Sequence, residues 1–283
     1  MLYKKLRNCG VFCLENNSWS GKLWLMDKAD IFKEIKIIFE NSDFLAINKP
    51  AGLLVHQIPN GSGLTLVDWL KEKYPFIEGV GDLSTNSGQE NLRPGIVHRL
   101  DRETSGIMVI AKNNETFFYL KNLFQEKKIN KGYLALVSGV LKNKSGTIDA
   151  PIGRIASSTK RSTLAKKMKD LKEARTDYEV LKNFPDEVGS GFALLKVSPR
   201  TGRTNQIRVH LASTHHPIAG DTMYGPKKME LPIGLKRMFL HAYFLELPLK
   251  EGNVMRLEAD LPDDLRNVLV NLGGLPKQLL DLT

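Results

Sequence analysis

One carboxylate in this chain stands among guanidinium groups. In Gly95-Ile96-Val97-His98-Arg99-Leu100-Asp101-Arg102-Glu103-Thr104-Ser105-Gly106, Asp101 follows Arg99 by two residues and directly precedes Arg102. Neighbouring cations favour the ionised form of an aspartate. An ionised carboxylate with such neighbours is equipped to act as a nucleophile beside a polyanion, and Gly106 lets a second backbone come close. In an extended segment Arg99 and Asp101 share one face, while His98 and Leu100 point the other way. His98 and His210 are expected to serve as structural hydrogen-bonders. By charge pattern alone, a solvated surface ion-pair cluster is the commoner meaning of such a run.

The elements around the cluster are mostly short strands. Ile35 to Glu40 and Phe44 to Asn48 read as strands joined by Asn41-Ser42-Asp43. Thr65 to Lys71 has the apolar spacing of a helix, and residues 79–95, rich in Gly, Ser and Asn, form the loop that leads to Asp101. Ile107 to Ala111 is an apolar run expected to be a buried strand. Glu115 to Lys127 is expected to be a helix with Phe117, Leu120 and Phe124 inward. Strands follow at Tyr133 to Val140, Phe192 to Val197 and His241 to Leu247, with a helix at Thr204 to Ala212. Strands in runs with few regular crossovers argue for an α+β fold rather than a doubly wound one.

The formal net charge of +10 over 283 residues points to a polyanionic partner, since each neutralised phosphate releases counterions. Two cysteines, Cys9 and Cys13, cannot build a disulfide framework, and no second ligand pair follows at zinc-site spacing, so no metal is expected. No apolar run approaches the roughly 18 residues that span a membrane, and the N-terminus lacks the apolar core of a signal peptide. A cytoplasmic, soluble protein with no membrane association is expected, as a monomer. Neither a G-x-x-x-x-G-K-[ST] loop nor a G-x-G-x-x-G turn is present in a strand–helix context, so no nucleotide cofactor is expected.

Several motifs occur together in a fixed order. Ala46 to His56 contains Lys49-Pro50-Ala51-Gly52, and His98-Arg99-Leu100-Asp101 is followed by Thr104-Ser105-Gly106. Lys131-Gly132-Tyr133-Leu134-Ala135 comes next, then Thr201-Gly202-Arg203-Thr204-Asn205-Gln206-Ile207-Arg208-Val209-His210-Leu211. Pro217-Ile218-Ala219-Gly220-Asp221, Tyr224-Gly225 and Leu240-His241-Ala242 complete the set. Together they resemble the RluA family of RNA pseudouridine synthases.

The resemblance implies a pseudouridine synthase fold, a long mixed and mostly antiparallel sheet with flanking helices and a central RNA-binding cleft. It implies isomerisation of uridine in structured RNA without a cofactor. Asp101 matches the family's catalytic aspartate, Arg208 the arginine that pairs with it, and Tyr133 the tyrosine that stacks on uracil. Attack on the sugar and a glycal route would both use this carboxylate. Arg99 matches an arginine that fills the space left by the flipped base, a sensible role since flipping costs a few kcal/mol. Ile207 and Leu211, one helical turn apart, are expected to form the apolar wall of the pocket. Asn205 stands where many members carry His.

Lys160 to Arg175 is the most basic stretch; most such runs are solvated surface, but its position resembles a basic hairpin loop of the family that lies against RNA, and Lys160, Arg161, Lys166 and Lys167 are expected to touch phosphates. Residues 36–283 are expected to form the catalytic domain. Residues 1–35 have no clear role and look too short for the S4-type RNA-binding domain that many members carry, which tilts the expected substrate, a stem-loop of transfer or large-subunit ribosomal RNA, slightly towards transfer RNA. The alternatives are an RNA-binding or ribosome-assembly protein that has lost catalysis, and a metal-dependent nuclease. The presence of Asp101, Tyr133 and Arg208 argues against the first. The second needs more acidic ligands than Glu103 supplies.

Overall fold

The computed structural model describes residues 28–57, 63–81, 93–156, 158, 160–163, 168–187, 191–250 and 252–280. A short helix α1 (Lys28–Lys33) leads into the hairpin β1 (Lys36–Glu40) and β2 (Phe44–Lys49). Its turn is closed by Asn41, whose side-chain oxygen accepts from the N–H groups of Asp43 and Phe44, both at 2.9 Å, the local bonding that suits Asn to turns. Helix α2 (Leu66–Lys73) begins in a capping box, with the Thr65 hydroxyl accepting from Asp68 N–H and the Asp68 carboxylate from Thr65 N–H. Strand β3 (Ser105–Ala111) is buried along its whole length, as a continuous apolar run demands. Asn113 caps α3 (Asn114–Gln125), which packs on β3.

Strands β4 (Asn130–Ser138), β5 (Ser145–Asp149), β6 (Ile152–Ile155), β7 (Arg161–Ser162), β8 (Met168–Lys172), β9 (Arg175–Phe184) and β10 (Phe192–Pro199) follow. Helix α4 (Gln206–Ser213), strands β11 (Leu240–Pro248) and β12 (Val254–Glu258), and helices α5 (Asp263–Asn271) and α6 (Lys277–Leu280) complete the chain. The main sheet runs β1-β2-β3-β11-β4-β10-β9-β5, with β12 beside β11, and a small sheet runs β7-β6-β8. The architecture is therefore α+β, with a large and mostly antiparallel sheet.

The main sheet has a seam. Among the described strand pairs only β3 and β11 run parallel, and they meet over just two positions, Ser105 with His241 and Gly106 with Ala242. Gly106 has φ +123°, and a Cβ there would stand 2.2 Å from the Ala242 carbonyl oxygen. Only glycine fits this approach. The close backbone contact that the sequence suggests for Gly106 is thus with β11. One apolar cluster, which Ile31 and Ile35 join, packs β1 to β3 and crosses the seam to Ala242, Leu245 and Leu247, and two others pack β4 and β10. Among the described residues no helix is long and apolar enough to cross a membrane.

Candidate active site

Asp101 lies four residues before β3 starts, at the end of the seam. There a cavity of about 490 Å³ opens between the loop from Val97 to Asp101, Tyr133 on β4, Leu240 at the head of β11, and the turn that enters α4. Lys127, Lys128 and Lys131, around the α3–β4 turn, and Arg200 and Arg203, before α4, give the cavity a cationic lining.

The loop is anchored from behind. Gly52 N–H donates to the Arg102 carbonyl at 2.7 Å, and Arg102 Nε donates back to the Gly52 carbonyl at 3.0 Å. Arg102, which has no role in the sequence reading, is therefore a clamp between two turns. Lys49 is fully buried, and its Nζ donates to the carbonyls of Pro50 at 2.7 Å, Leu53 at 2.9 Å and Arg102 at 3.3 Å. Burial pulls its pKa down to about 7, partly countered by Glu103.

Arg208 reaches Asp101, as the resemblance implies, but holds another aspartate more closely. Arg208 does not grip Asp101 bidentately. It donates through Nε to Asp221 Oδ2 at 2.7 Å and through Nη2 to Asp221 Oδ1 at 2.8 Å, while its Nη1 stands 3.5 Å from Asp101 Oδ2. The Asp221 side chain is 0% exposed and that of Asp101 is 25% exposed. The fork geometry of arginine satisfies the buried carboxylate first and leaves one nitrogen for the accessible one. Asp221 also accepts from the N–H groups of Met223 at 2.9 Å and Tyr224 at 3.0 Å. In the sequence its role is hidden among motif residues, although an Asp that can accept from the N–H groups two and three residues on is a turn signal.

Asn205 is the second group on Asp101. With its amide oxygen inward it would set that oxygen against two carboxylate oxygens, while accepting from Arg208 Nη1 at 3.3 Å and donating to the Tyr224 hydroxyl at 3.1 Å. Turned over, its nitrogen donates to Asp101 Oδ2 at 2.8 Å and Oδ1 at 3.2 Å, and its oxygen accepts from the Tyr224 hydroxyl at 3.1 Å. We assign the latter orientation, since hydrogen-bond partners decide an amide. Asn205 holds φ +56° at the head of α4, a conformation Asn tolerates better than most residues.

Other sequence candidates divide. Arg99, Tyr133 and Ile207 line the cavity, and Arg99 is exposed. Leu211 does not line it. One turn beyond Ile207 on α4, it is 1% exposed and packs into the core with Ile218 and Met238. Lys160 and Arg161 also lie outside the cavity, at the β7 edge of the small sheet, where Lys160 Nζ donates to the Met223 carbonyl at 2.8 Å. Lys166 and Lys167, and residues 1–27, lie outside the described residues. Burial, and after it the charge of Asp101, raise the Tyr133 pKa, so its phenol stays protonated.

Both histidines near the motifs are held structurally. His98 Nε2 accepts from Val109 N–H at 2.9 Å and its ring stacks on Phe124 at 4.4 Å. His210 bonds Thr176 at 2.8 Å and the Ala150 carbonyl at 2.9 Å. Burial lowers His98 to about 3, and His56 and His241 to about 4, from an ordinary 6.5. Between those values the unfolded chain binds protons that the folded one refuses, so stability is lost as pH falls through that window. The melting temperature is expected to decline between pH 6.5 and 5, before most carboxylates titrate. A flat profile there would contradict neutral burial.

The geometry can be set beside known proteins. A family model described as RNA pseudouridylate synthase matches residues 43–213. An uncharacterized RNA pseudouridine synthase of Aquifex aeolicus is 43% identical over 241 residues, with 83% of this chain and 72% of that protein covered. Ribosomal large subunit pseudouridine synthase D of Nitrosomonas europaea is 39% identical over 248 residues, with 86% of this chain and 66% of that protein covered. Among solved structures, human RNA pseudouridylate synthase domain containing 4 superposes with a TM-score of 0.66 at 26% identity, covering 88% of this chain and 97% of that one. The matched region runs from β2 through the Asp101 loop to the end of α4, the segments that hold the carboxylate, the tyrosine and the arginine. With those segments accounted for, the chain belongs to the RNA pseudouridine synthase family, in its RluA branch, and is an isomerase that acts on uridine in RNA.

Proposed function

We propose that Asp101 is the nucleophile of this isomerisation and that the target uridine lies in a stem-loop of large-subunit ribosomal RNA. The carrying observation is an accessible carboxylate at the cavity wall held by Asn205 and approached by Arg208. The reaction breaks the bond between C1′ and N1 of uracil and forms one between C1′ and C5. The C5 proton is lost and N1 gains one, so the balance needs no donor or oxidant. A carboxylate that bonds transiently to the nucleoside divides this into easier steps. With its phenol protonated, Tyr133 offers the uracil a ring face and a donor hydroxyl rather than a phenolate base. Ile207 bounds the base on its apolar side, and exposed Arg99 stands ready to fill the gap left in the RNA stack.

The RNA class is favoured by relatives named ribosomal large subunit pseudouridine synthase D in three organisms, 34–39% identical to this chain. Loops and bulges are where proteins read RNA sequence. The basic stretch from Lys160 to Arg175 supplies phosphate contacts, and the enzyme works as a cytoplasmic monomer. Pseudouridine mapping across all cellular RNA, with and without the gene, is expected to lose a small set of large-subunit ribosomal positions. Loss confined to transfer RNA would overturn the substrate, and loss of none would overturn cellular activity on either RNA.

A further inference from the structure

A chain of hydrogen bonds joins the small basic sheet to the carboxylate in the cleft. Arg161 N–H, on β7, donates to the Tyr224 hydroxyl at 3.1 Å. That hydroxyl donates to Asn205 Oδ1 at 3.1 Å, and Asn205 Nδ2 donates to both Asp101 oxygens. Two further contacts brace the same route. Lys160 Nζ bonds the carbonyl of Met223, next to Tyr224, and the Arg208 guanidinium lies 5.1 Å from the centre of the Tyr224 ring. The Asp221 turn that presents Tyr224 is itself fixed by Arg208. Tyr224 thus touches β7, Asn205 and Arg208 at once.

We infer that Tyr224 is a positioning residue which transmits docking of the β6–β8 sheet on RNA phosphates to the orientation of Asp101. The inference rests on the nucleophile assignment above. A phenol suits the task because it accepts at one side and donates at the other. Its rigid ring, packed against Arg208, moves as a unit with the turn. Drawing β7 towards RNA would pull on Arg161 N–H and Lys160 together, and both lead to residues 223–224. Without RNA, Asn205 and Arg208 still hold Asp101, but the outer end of the relay is held only by an edge strand of two residues. Coupling of this kind needs a demonstrated energetic link as well as a contiguous path.

The test is a double-mutant cycle measured by single-turnover pseudouridine formation on a transcript of the modified stem-loop. Tyr224→Phe removes the hydroxyl and keeps the ring. It is expected to lower the rate at saturating RNA about tenfold, the loss of one net hydrogen bond, with half-saturation changed less than about twofold. Lys169→Ala/Lys172→Ala on β8 is expected to weaken RNA binding and also to lower the saturating rate in the wild-type background. In the Tyr224→Phe background the same pair should still weaken binding but lower the rate no further. Additive rate effects, or a Tyr224→Phe enzyme with the wild-type rate, would overturn the relay. Asn205→His, whose imidazole can accept from Tyr224 and donate to Asp101, should retain most of the rate, whereas Asn205→Leu should not. Equal loss in both would show that Asn205 acts only through its shape and would also overturn the relay. Asp101→Asn is run in parallel, since turnover in that variant would strike at the nucleophile itself rather than at its positioning.

Discussion

Asp101→Asn is expected to lower pseudouridine formation by more than about 10³-fold while changing RNA affinity by less than about twofold. The side chain keeps its volume and its place against the Asn205 amide, and only the negative charge and nucleophilicity are lost. The structure explains why the fold should tolerate this. Arg208 is already satisfied by two bonds to Asp221, and its approach to Asp101 is a looser 3.5 Å contact. The melting temperature should therefore stay close to that of the wild type. Had Arg208 relied on Asp101, the same substitution would leave a buried guanidinium unpaired and confuse lost chemistry with lost structure. Turnover near the wild-type rate would remove Asp101 from the mechanism. A fall in RNA affinity parallel to the fall in rate would make it a binding residue.

Asp221→Ala should do the reverse, acting first on stability. It leaves Arg208, 11% exposed, without its bidentate partner, and strips the N–H groups of Met223 and Tyr224 of their acceptor. Breaking a buried pair on one side costs about 3–5 kcal/mol, a fall in melting temperature of about 10 °C for a domain of this size. Among the described residues the freed guanidinium has one carboxylate left within reach, Asp101. Collapse onto it would lock the proposed nucleophile into a bidentate salt bridge, so activity should fall further than stability alone requires. The double variant Arg208→Met/Asp221→Asn separates the effects, since it removes the unpaired guanidinium while the Asn oxygen still accepts from the N–H groups of Met223 and Tyr224. It should regain most of the melting temperature and little of the activity. If Asp221→Ala melts within about 2 °C of the wild type, the pair is not the keystone described here.

The α+β class and six of the twelve described strands were legible because their apolar runs are clear, whereas β5 to β9 and β12, more polar or shorter, were not. Ile107 to Ala111 could hardly be anything but a buried strand. The cavity residues Asp101, Arg99, Tyr133 and Ile207 were legible through spacing and motif. Leu211 was not, because helical periodicity groups residues on one face without saying where the cleft ends. On α4 it ends at Arg208, and Leu211 falls to the core. Asp221, the nearer partner of Arg208, was missed for a related reason. Two aspartates competed for the arginine, and sequence does not reveal which would be fully buried. Lys49 also escaped notice, since a lysine with three carbonyl acceptors looks, in sequence, like any surface lysine before a proline.

The two-residue contact between β3 and β11 has a further consequence, for the timing of assembly. Ser105 and His241, bonded side chain to side chain at 2.9 Å, are 136 positions apart, and the cavity lies at the end of the seam they close. The hairpins on either side can form from local segments, but the seam must wait for a distant strand, and such long-range closures are slow. A chain emerging from a ribosome would therefore carry a cationic surface well before it could modify anything. β11 sits between β3 and β4 in the middle of the sheet, so the cavity at the seam is not closed until that late strand has been made.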